Sequence, residues 1–411
     1  MKNLLVLSHV LPFPEFSGQQ QRVKNTLKAL KHLFRVTFVT VGKQNEVSKI
    51  EAQMSDYSDK VICLPSKYNK NNISKLLHRG IGSVKSYRTA LKLSNYVIGE
   101  LEFAPDRISS VLADNKYDCA LFEYFHAFKS VEIFRKKNIP CVLDMHNVLW
   151  QAYANRQNES FYFSKWWRKK QLQKYTAAEE AAWNQFDGII AINKEEYEYV
   201  KQTVKSDIKV FYAPMGIDLT AWKFDWTFQE NPPRIGYYGG LGSRHNQQSA
   251  LNCYENIMPC VWRNFPDAEL WIIGSHPPKN LSKLAEQDSR IVVTGFVDDI
   301  KSLLQTMSVV VCPWKGIYGF RSRLIEVMAL GIPLVTTFDA VYGMDLQNEQ
   351  GILLGESDSD LAEKVLKLLS DKKYSEHQSR LARLEIEKRY SFENTYNKLI
   401  SELDVWLESF N

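Results

Sequence analysis

Apolar runs alternate with amphipathic segments along the first half of the chain. The runs are rich in Val, Ile and Leu with little two-residue alternation, which is typical of parallel strands buried on both faces. Between the first two runs, Val23, Leu27, Leu30 and Phe34 recur at helical spacing and predict a helix. We predict strands at 4–8, 35–41, 60–64, 118–123, 140–145, 188–192 and 208–212, and a long helix at 161–185.

The second half repeats this alternation after a polar connector at about 224–233, which contains Asn231-Pro232-Pro233. Strands are predicted at 235–238, 269–273, 290–294, 308–312 and 334–336, and an amphipathic helix at 393–410. The fold class is therefore α/β, with two doubly wound, Rossmann-like domains that face each other. We expect domains at 1–215 and 216–392, with residues 393–411 crossing back to the first domain.

Composition and charge narrow the class of protein. The 411 residues carry a net charge of +5, which is too mild to indicate a nucleic-acid partner but suits an anionic substrate. The six cysteines have no C-x-x-C spacing and most lie in apolar runs, which indicates reduced core thiols. No apolar stretch approaches the roughly 20 residues of a membrane span. We expect a cytoplasmic protein, at the inner face of the membrane if it contacts lipid.

The strongest chemical signal lies at 319–335. Arg321 and Arg323 precede Glu326 at the start of an apolar helix, which Gly331 and Pro333 end before another strand. The first N–H groups of a helix lack partners and attract anions, and two guanidiniums there suggest a bound diphosphate. The alternative is a surface loop with a solvated arginine pair.

Several motifs, in order, resemble those of retaining GT-B glycosyltransferases of family 4. They are Ala191-Ile192-Asn193-Lys194-Glu195-Glu196, Ala213-Pro214-Met215-Gly216-Ile217-Asp218, the stretch from Pro266 to Gly274, Thr294-Gly295-Phe296-Val297-Asp298-Asp299, and the stretch from Glu326 to Val335. The resemblance implies sugar transfer from a nucleotide diphosphate sugar, with UDP or GDP expected, to a glycan or lipid-linked acceptor. It implies a role in polysaccharide or glycoconjugate biosynthesis, without a metal or other cofactor.

The resemblance also implies roles for particular residues. Catalytic residues would be His146, Arg321, Arg323 and Glu326. The donor would contact Arg321, Arg323 and Glu326. It would also contact Gly18, Arg244, Gly295, Phe296 and Val297. The acceptor would contact Gln19, Arg22 and Glu123. The chain departs from the family at Tyr318, where a glutamate is usual, and resembles a subgroup with G-x-R-x-K-x-x-E, with Arg323 in the Lys position.

Two other functions remain open at this point. A non-catalytic GT-B partner or glycan-binding protein would explain Tyr318, and a nucleotide-sugar epimerase would use the same fold.

Residues 164–171 combine Trp166 and Trp167 with Lys and Arg, which suits peripheral membrane contact. We favour the simpler interpretation, in which the tryptophans lie in the core.

Overall fold

The computed structural model describes residues 1–15, 17–113, 115–158, 164–229, 232–317 and 319–410. The chain forms two compact units. Unit 1 comprises Met1–Pro214 with Tyr396–Asn411, and unit 2 comprises Met215–Thr395. The boundaries predicted from the sequence are 215/216 and 392/393.

The described strands of unit 1 form a seven-stranded parallel sheet in the order β3-β2-β1-β4-β5-β6-β7. Each predicted strand is present, with ends within two residues of the prediction. The strands are β1 (Lys2–Leu7), β2 (Phe34–Gly42), β3 (Lys60–Pro65), β4 (Cys119–Glu123), β5 (Cys141–Asp144), β6 (Gly188–Ala191) and β7 (Lys209–Tyr212).

Helices connect these strands because parallel neighbours need crossovers. They are α1 (Gly18–Leu33), α2 (Val47–Met54), α3 (Asn72–Thr89), α4 (Leu93–Asn95), α5 (Pro105–Leu112), α6 (Val131–Arg135), α7 (Leu149–Asn158), α8 (Lys165–Trp183) and α9 (Lys194–Thr203). Val23, Leu27 and Leu30 of α1 are fully buried, as their spacing predicts, whereas Phe34 begins β2.

Helix α8 begins later than predicted, after Ser164, whose side chain accepts from the Trp167 N–H as an N-cap. Residues 161–163 of the predicted helix lie outside the described residues. The interpretation that both tryptophans are core residues is wrong for Trp166. Its side chain is 69% exposed, with the Lys170 ammonium 4.9 Å from the ring centroid.

Unit 2 contains a six-stranded parallel sheet in the order β10-β9-β8-β11-β12-β13. Its strands are β8 (Arg234–Tyr238), β9 (Glu269–Ile273), β10 (Ile291–Gly295), β11 (Val309–Cys312), β12 (Leu334–Thr337) and β13 (Leu353–Gly355). The prediction missed β13, because three residues are too few to show a pattern. The helices are α10 (Arg244–Asn252), α11 (Met258–Asn264), α12 (Lys279–Gln287), α13 (Ile300–Gln305), α14 (Ser322–Ala329), α15 (Asp358–Ser370) and α16 (Lys372–Glu385).

The C-terminal segment returns to unit 1 through a π-helical turn (Glu393–Asn397) and α17 (Lys398–Leu407). Leu399 and Leu403 are buried, and Lys2 Nζ lies 2.7 Å from Asp404 Oδ1. Five of the six cysteines are buried and all are unpaired, as predicted. Within the described ranges, no helix is both long and apolar enough to cross a bilayer.

Helix α14 carries most of the predicted diphosphate site, and Gly331 ends it in the left-handed region at φ 79°. We predict that Gly331→Ala lowers the free energy of unfolding by at least about 1 kcal/mol. The new Cβ would also lie 2.2 Å from the Phe224 ring. Gly80→Ala is the matched control. Gly80 lies inside α3, and a Cβ added there would enter open space, with no neighbouring atom within 4 Å. The substitution should therefore stabilise the protein by about 0.5–1 kcal/mol. Urea denaturation measures both, and equal stability of Gly331→Ala and the wild type would contradict this account.

Candidate active site

In both sheets the strand order reverses beside the first strand. In unit 1, β1 neighbours β4, and in unit 2, β8 neighbours β11. Because the crossovers on either side lead in opposite directions, the carboxyl ends of these strands border an open crevice, where ligands of doubly wound sheets bind. Most of the predicted site residues follow these strands.

In unit 2, the crevice contains a buried carboxylate held by two neighbours. The Tyr238 hydroxyl, at the end of β8, donates to Glu326 Oε2 at 2.8 Å. Arg323 Nη1 donates to the same oxygen at 2.7 Å and to the Tyr238 oxygen at 2.6 Å. The Glu326 side chain is buried, whereas the Arg323 side chain is 34% exposed. The predicted donor residues Arg323 and Glu326 therefore contact each other directly, and Tyr238, which was not predicted, bonds to both.

Arg321 stands at the N-cap of α14. Its Nη2 donates to the Gly316 carbonyl at 3.4 Å, and its guanidinium lies 5.2 Å from the centroid of the Trp314 ring. No acidic residue occurs in the first turn of α14. The turn therefore combines the positive end of a helix with two guanidiniums, an arrangement suited to a phosphate group. Tyr318, the departure from the family pattern, lies outside the described residues.

The other predicted donor residues of unit 2 share this sheet edge but not the Glu326 cluster. Gly295 ends β10 with φ 69°, followed by an exposed Phe296 and a half-buried Val297. Because β9 separates β10 from β8, these residues are roughly 10 Å from Tyr238 in the plane of the sheet. Arg244 is exposed at the first residue of α10.

In unit 1, the predicted active-site histidine pairs with a predicted acceptor residue. Glu123 ends β4 and His146 follows β5, and His146 Nε2 shares a very short hydrogen bond with Glu123 Oε2. The Tyr124 ring stacks on His146 at 4.3 Å and on His126 at 5.4 Å. Tyr124 and His146 have φ of 70° and 54°. Such angles cost energy outside glycine and concentrate at functional sites.

The electrostatics of this cluster favour neutral groups. Burial raises the pKa of Glu123, and the His146 imidazole offsets only part of that effect. Burial likewise lowers the pKa of His126 to about 3, so its ring is uncharged at neutral pH. Glu123 Oε1, the Tyr124 hydroxyl and both His126 ring nitrogens are buried without a hydrogen-bond partner among the described residues. Buried polar atoms of this kind mark a place where a ligand can bind.

Arg22 has a different position from the one expected of an acceptor residue. Its side chain is fully buried, and Nε and Nη2 donate to the two oxygens of Asp144 at 2.9 and 3.2 Å. Nη1 donates to the Ala213 carbonyl at 2.8 Å. Arg22 therefore joins α1 to β5 and to the end of β7, with no surface left for an acceptor.

One group of side chains has the spacing of metal ligands. Single atoms of Glu123, Asp144 and His146 lie within 4.8 Å of one another. Both Asp144 oxygens already accept from Arg22, so a cation there would face a guanidinium and would have to displace the His146 bond. This donor set suits a hydrogen-bonded network better than a metal.

The remaining predicted residues lie at the start of α1, after β1. Gly18 is half-buried and Gln19 is exposed, and the Ser17 hydroxyl caps the helix by accepting from the Gln20 N–H. His126 and Tyr238 were not predicted from the sequence as site residues. Their position in or directly after the carboxyl end of a switch-point strand was the signal that could have identified them.

Comparison with known proteins shows the class. Residues 232–371 match the family of glycosyl transferases group 1. Among solved structures, sucrose-phosphate synthase from Thermosynechococcus elongatus is similar over 100% of both chains, with 15% identity and a TM-score of 0.73. TarM of S. aureus covers 100% of this chain and 99% of its own, with 15% identity and a TM-score of 0.69. Anabaena HepE covers 98% and 99%, with 13% identity and a TM-score of 0.66.

No curated protein matches the sequence. The fold of the whole chain is the GT-B architecture predicted from the sequence, and the protein is a glycosyltransferase.

The buried ion pair of unit 1 gives a stability prediction. Arg22→Met should lower the free energy of unfolding by about 3–5 kcal/mol, because it leaves the Asp144 carboxylate buried without its cation. Asp144→Asn in the same background should recover part of this loss. Chemical denaturation with both variants tests the pair. If the free energy of unfolding falls by less than about 1 kcal/mol, or does not recover in the double variant, the pair does not stabilise this part of unit 1.

Proposed function

We propose that the protein transfers a sugar from a nucleotide diphosphate sugar to an acceptor hydroxyl, with retention of anomeric configuration and without a metal. The observation that carries the proposal is the Tyr238–Arg323–Glu326 cluster beside Arg321, at the switch point of the unit 2 sheet. A sheet edge of this kind suits a nucleotide. The residues there offer a carboxylate for the ribose and guanidiniums for the diphosphate.

The donor binds unit 2 in this proposal. Glu326 accepts from the ribose hydroxyls, and Arg321, Arg323 and the first turn of α14 bind the diphosphate. When the sugar–phosphate bond breaks, negative charge develops on the leaving diphosphate, so these fixed positive groups stabilise the transition state more than the ground state. The same two guanidiniums take the place that a divalent ion has in other transferases.

UDP or GDP is the expected leaving nucleotide. Anabaena HepE was solved with UDP and with UDP-glucose, and S. aureus TarM with UDP. Gly295, Phe296 and Val297 are the residues we assign to the base, and Arg244 and Gly18 are further donor contacts.

The state of the unit 1 carboxylate bears on which retaining route the transfer would take. Glu123 would be the nucleophile of a double displacement, but it is buried, bonded to His146 and has a raised pKa. A protonated or hydrogen-bonded carboxyl is a poor nucleophile. We therefore favour displacement on one face of the sugar, in which the leaving phosphate takes the acceptor proton. His146 orients the donor sugar by hydrogen bonding, and Glu123 sets the orientation of the imidazole.

The acceptor is a glycan or a lipid-linked glycan in this proposal, as in polysaccharide or glycoconjugate synthesis. TarM was solved with alpha-GlcNAc-glycerol and Fondaparinux. Gln19 is exposed at the start of α1 and is our acceptor contact in unit 1. The exposed Trp166 and its basic neighbours are where we expect α8 to meet a membrane surface.

The experiment is time-resolved proton NMR of UDP-glucose and GDP-mannose with the enzyme, with and without a panel of glycan acceptors. We expect the first sugar anomer formed, in transfer or in slow hydrolysis, to have the donor configuration, with or without a chelator. An inverted first product would overturn retention, and loss of turnover on chelation would overturn metal independence.

Variants in the same assay test the site. Arg321→Ala and Arg323→Ala should each lower turnover by about 10²–10³, the usual effect of losing one group that stabilises developing charge. Arg380→Ala, an exposed arginine on α16, is the matched control and should keep full turnover. Nucleotide binding without turnover would favour a non-catalytic partner. A new sugar still attached to the nucleotide would favour an epimerase.

A further inference from the structure

Helix α3 of unit 1 exposes a continuous row of apolar side chains. Their exposed fractions run from 39% for Ile81 to 80% for Ile73. The apolar face of α3 consists of Ile73, Leu76, Leu77, Ile81, Val84 and Tyr87. At about 100° per residue these six side chains occupy an arc of roughly 140°. No other part of the described chain has so many exposed large apolar residues on one element.

The helix is oriented in the reverse of the usual way. Gly82, opposite the centre of this arc, is the residue of α3 that is buried against unit 1. A Cβ at Gly82 would lie 2.2 Å from Leu93 Cδ1 and 2.8 Å from the Tyr96 ring, so the contact is close. A surface helix normally turns its apolar stripe to the core. Here the glycine side packs inward and the apolar face points to solvent.

The charged residues of the chain segment that contains α3 are all of one sign. Residues 60–99 contain eight Lys and Arg and no Asp or Glu. Their eight positive charges exceed the net charge of +5 for the whole chain, so the rest of the chain has a net negative charge. Two of them reach acids outside the segment, since Lys85 lies 3.2 Å from Glu100 and Lys67 lies 3.6 Å from Asp106. The basic segment is thus a local feature that flanks the apolar face.

A basic cavity adjoins the first turn of α3. Lys43, Lys67 and Lys70 contribute to the lining of a cavity of about 750 Å³ beyond the carboxyl ends of β2 and β3. The loop that carries the last two is fixed, because the buried Glu102 carboxylate accepts from the Ser66 hydroxyl at 2.6 Å and from the Tyr68 N–H at 2.9 Å. The backbone that carries Lys67 and Lys70 is therefore held just before the start of the helix.

We propose that α3 docks unit 1 onto an anionic lipid bilayer, with its apolar face in the headgroup region and its Lys and Arg at the lipid phosphates. An apolar stripe flanked by cations is what an interfacial helix requires, and the acidic surface of a membrane complements the charge. A second copy of the chain would bring two basic segments together, which like-charge repulsion opposes. Helix α8, whose first turn carries Trp166, contacts α3 and adds an aromatic suited to the interface. This proposal does not depend on the proposed glycosyl transfer.

The test is flotation of the full chain with vesicles of phosphatidylcholine containing about a third phosphatidylserine, in about 0.1 M salt. The wild type should float with these vesicles and at least about ten-fold less with phosphatidylcholine alone. Leu76→Asp/Leu77→Asp should lose at least about ten-fold of the bound fraction with unchanged melting temperature, because both side chains are exposed. Val405→Asp, at a 67% exposed residue of α17, is the matched control and should bind as the wild type.

Arg79→Glu/Arg88→Glu separates charge from apolar burial and should abolish the preference for phosphatidylserine. The proposal is overturned if the wild type stays with the soluble fraction, or if Leu76→Asp/Leu77→Asp floats equally well. It is also overturned if light scattering shows a dimer that the leucine variant dissociates while vesicles bind neither protein. In that case the face joins two copies of the chain.

Discussion

The reversal of strand order beside the first strand is the constraint on which each unit of this protein depends. Parallel strands need crossovers, and crossovers of one hand that leave in opposite directions cannot cover the strand ends between them. The gap lies beyond β1 and β4 in unit 1 and beyond β8 and β11 in unit 2. Polar side chains placed there do not disturb the apolar cores below them.

Each gap contains the same kind of arrangement, built from different residues. A buried carboxylate bonds to a nitrogen base or cation with a tyrosine beside it, as Glu123 with His146 and Tyr124 in unit 1. Unit 2 has Glu326 with Arg323 and Tyr238. Burying a carboxylate is unfavourable unless it is paired, so these partners serve structure and chemistry together. Unit 1 carries the additional cost of left-handed backbone at its histidine and tyrosine, which a purely structural network would not need.

The sequence predicted the strands of both sheets well, because buried parallel strands are continuous apolar runs. It missed β13, whose three residues show no pattern. The sequence pattern predicted Glu326, Arg321 and Arg323 at the start of one helix. It did not predict Tyr238, because only the strand order brings the end of β8 beside α14. It assigned Arg22 to an acceptor, although its bond partner Asp144 is 122 residues away and no local pattern reveals a buried pair. The exposure of Trp166 and of the apolar face of α3 likewise depends on packing.

The donor site proposed for unit 2 depends most on Glu326 binding the ribose of a nucleotide. The most direct measurement is calorimetric titration of the wild type and Glu326→Gln with the preferred nucleoside diphosphate and its 2′,3′-dideoxy analogue. The wild type should bind the natural nucleotide at least about ten-fold more tightly, because a hydrogen bond to a charged group contributes about 1.5–3 kcal/mol. Glu326→Gln should lose most of that preference. Equal binding of both nucleotides by the wild type, or an unchanged preference in Glu326→Gln, would contradict the account.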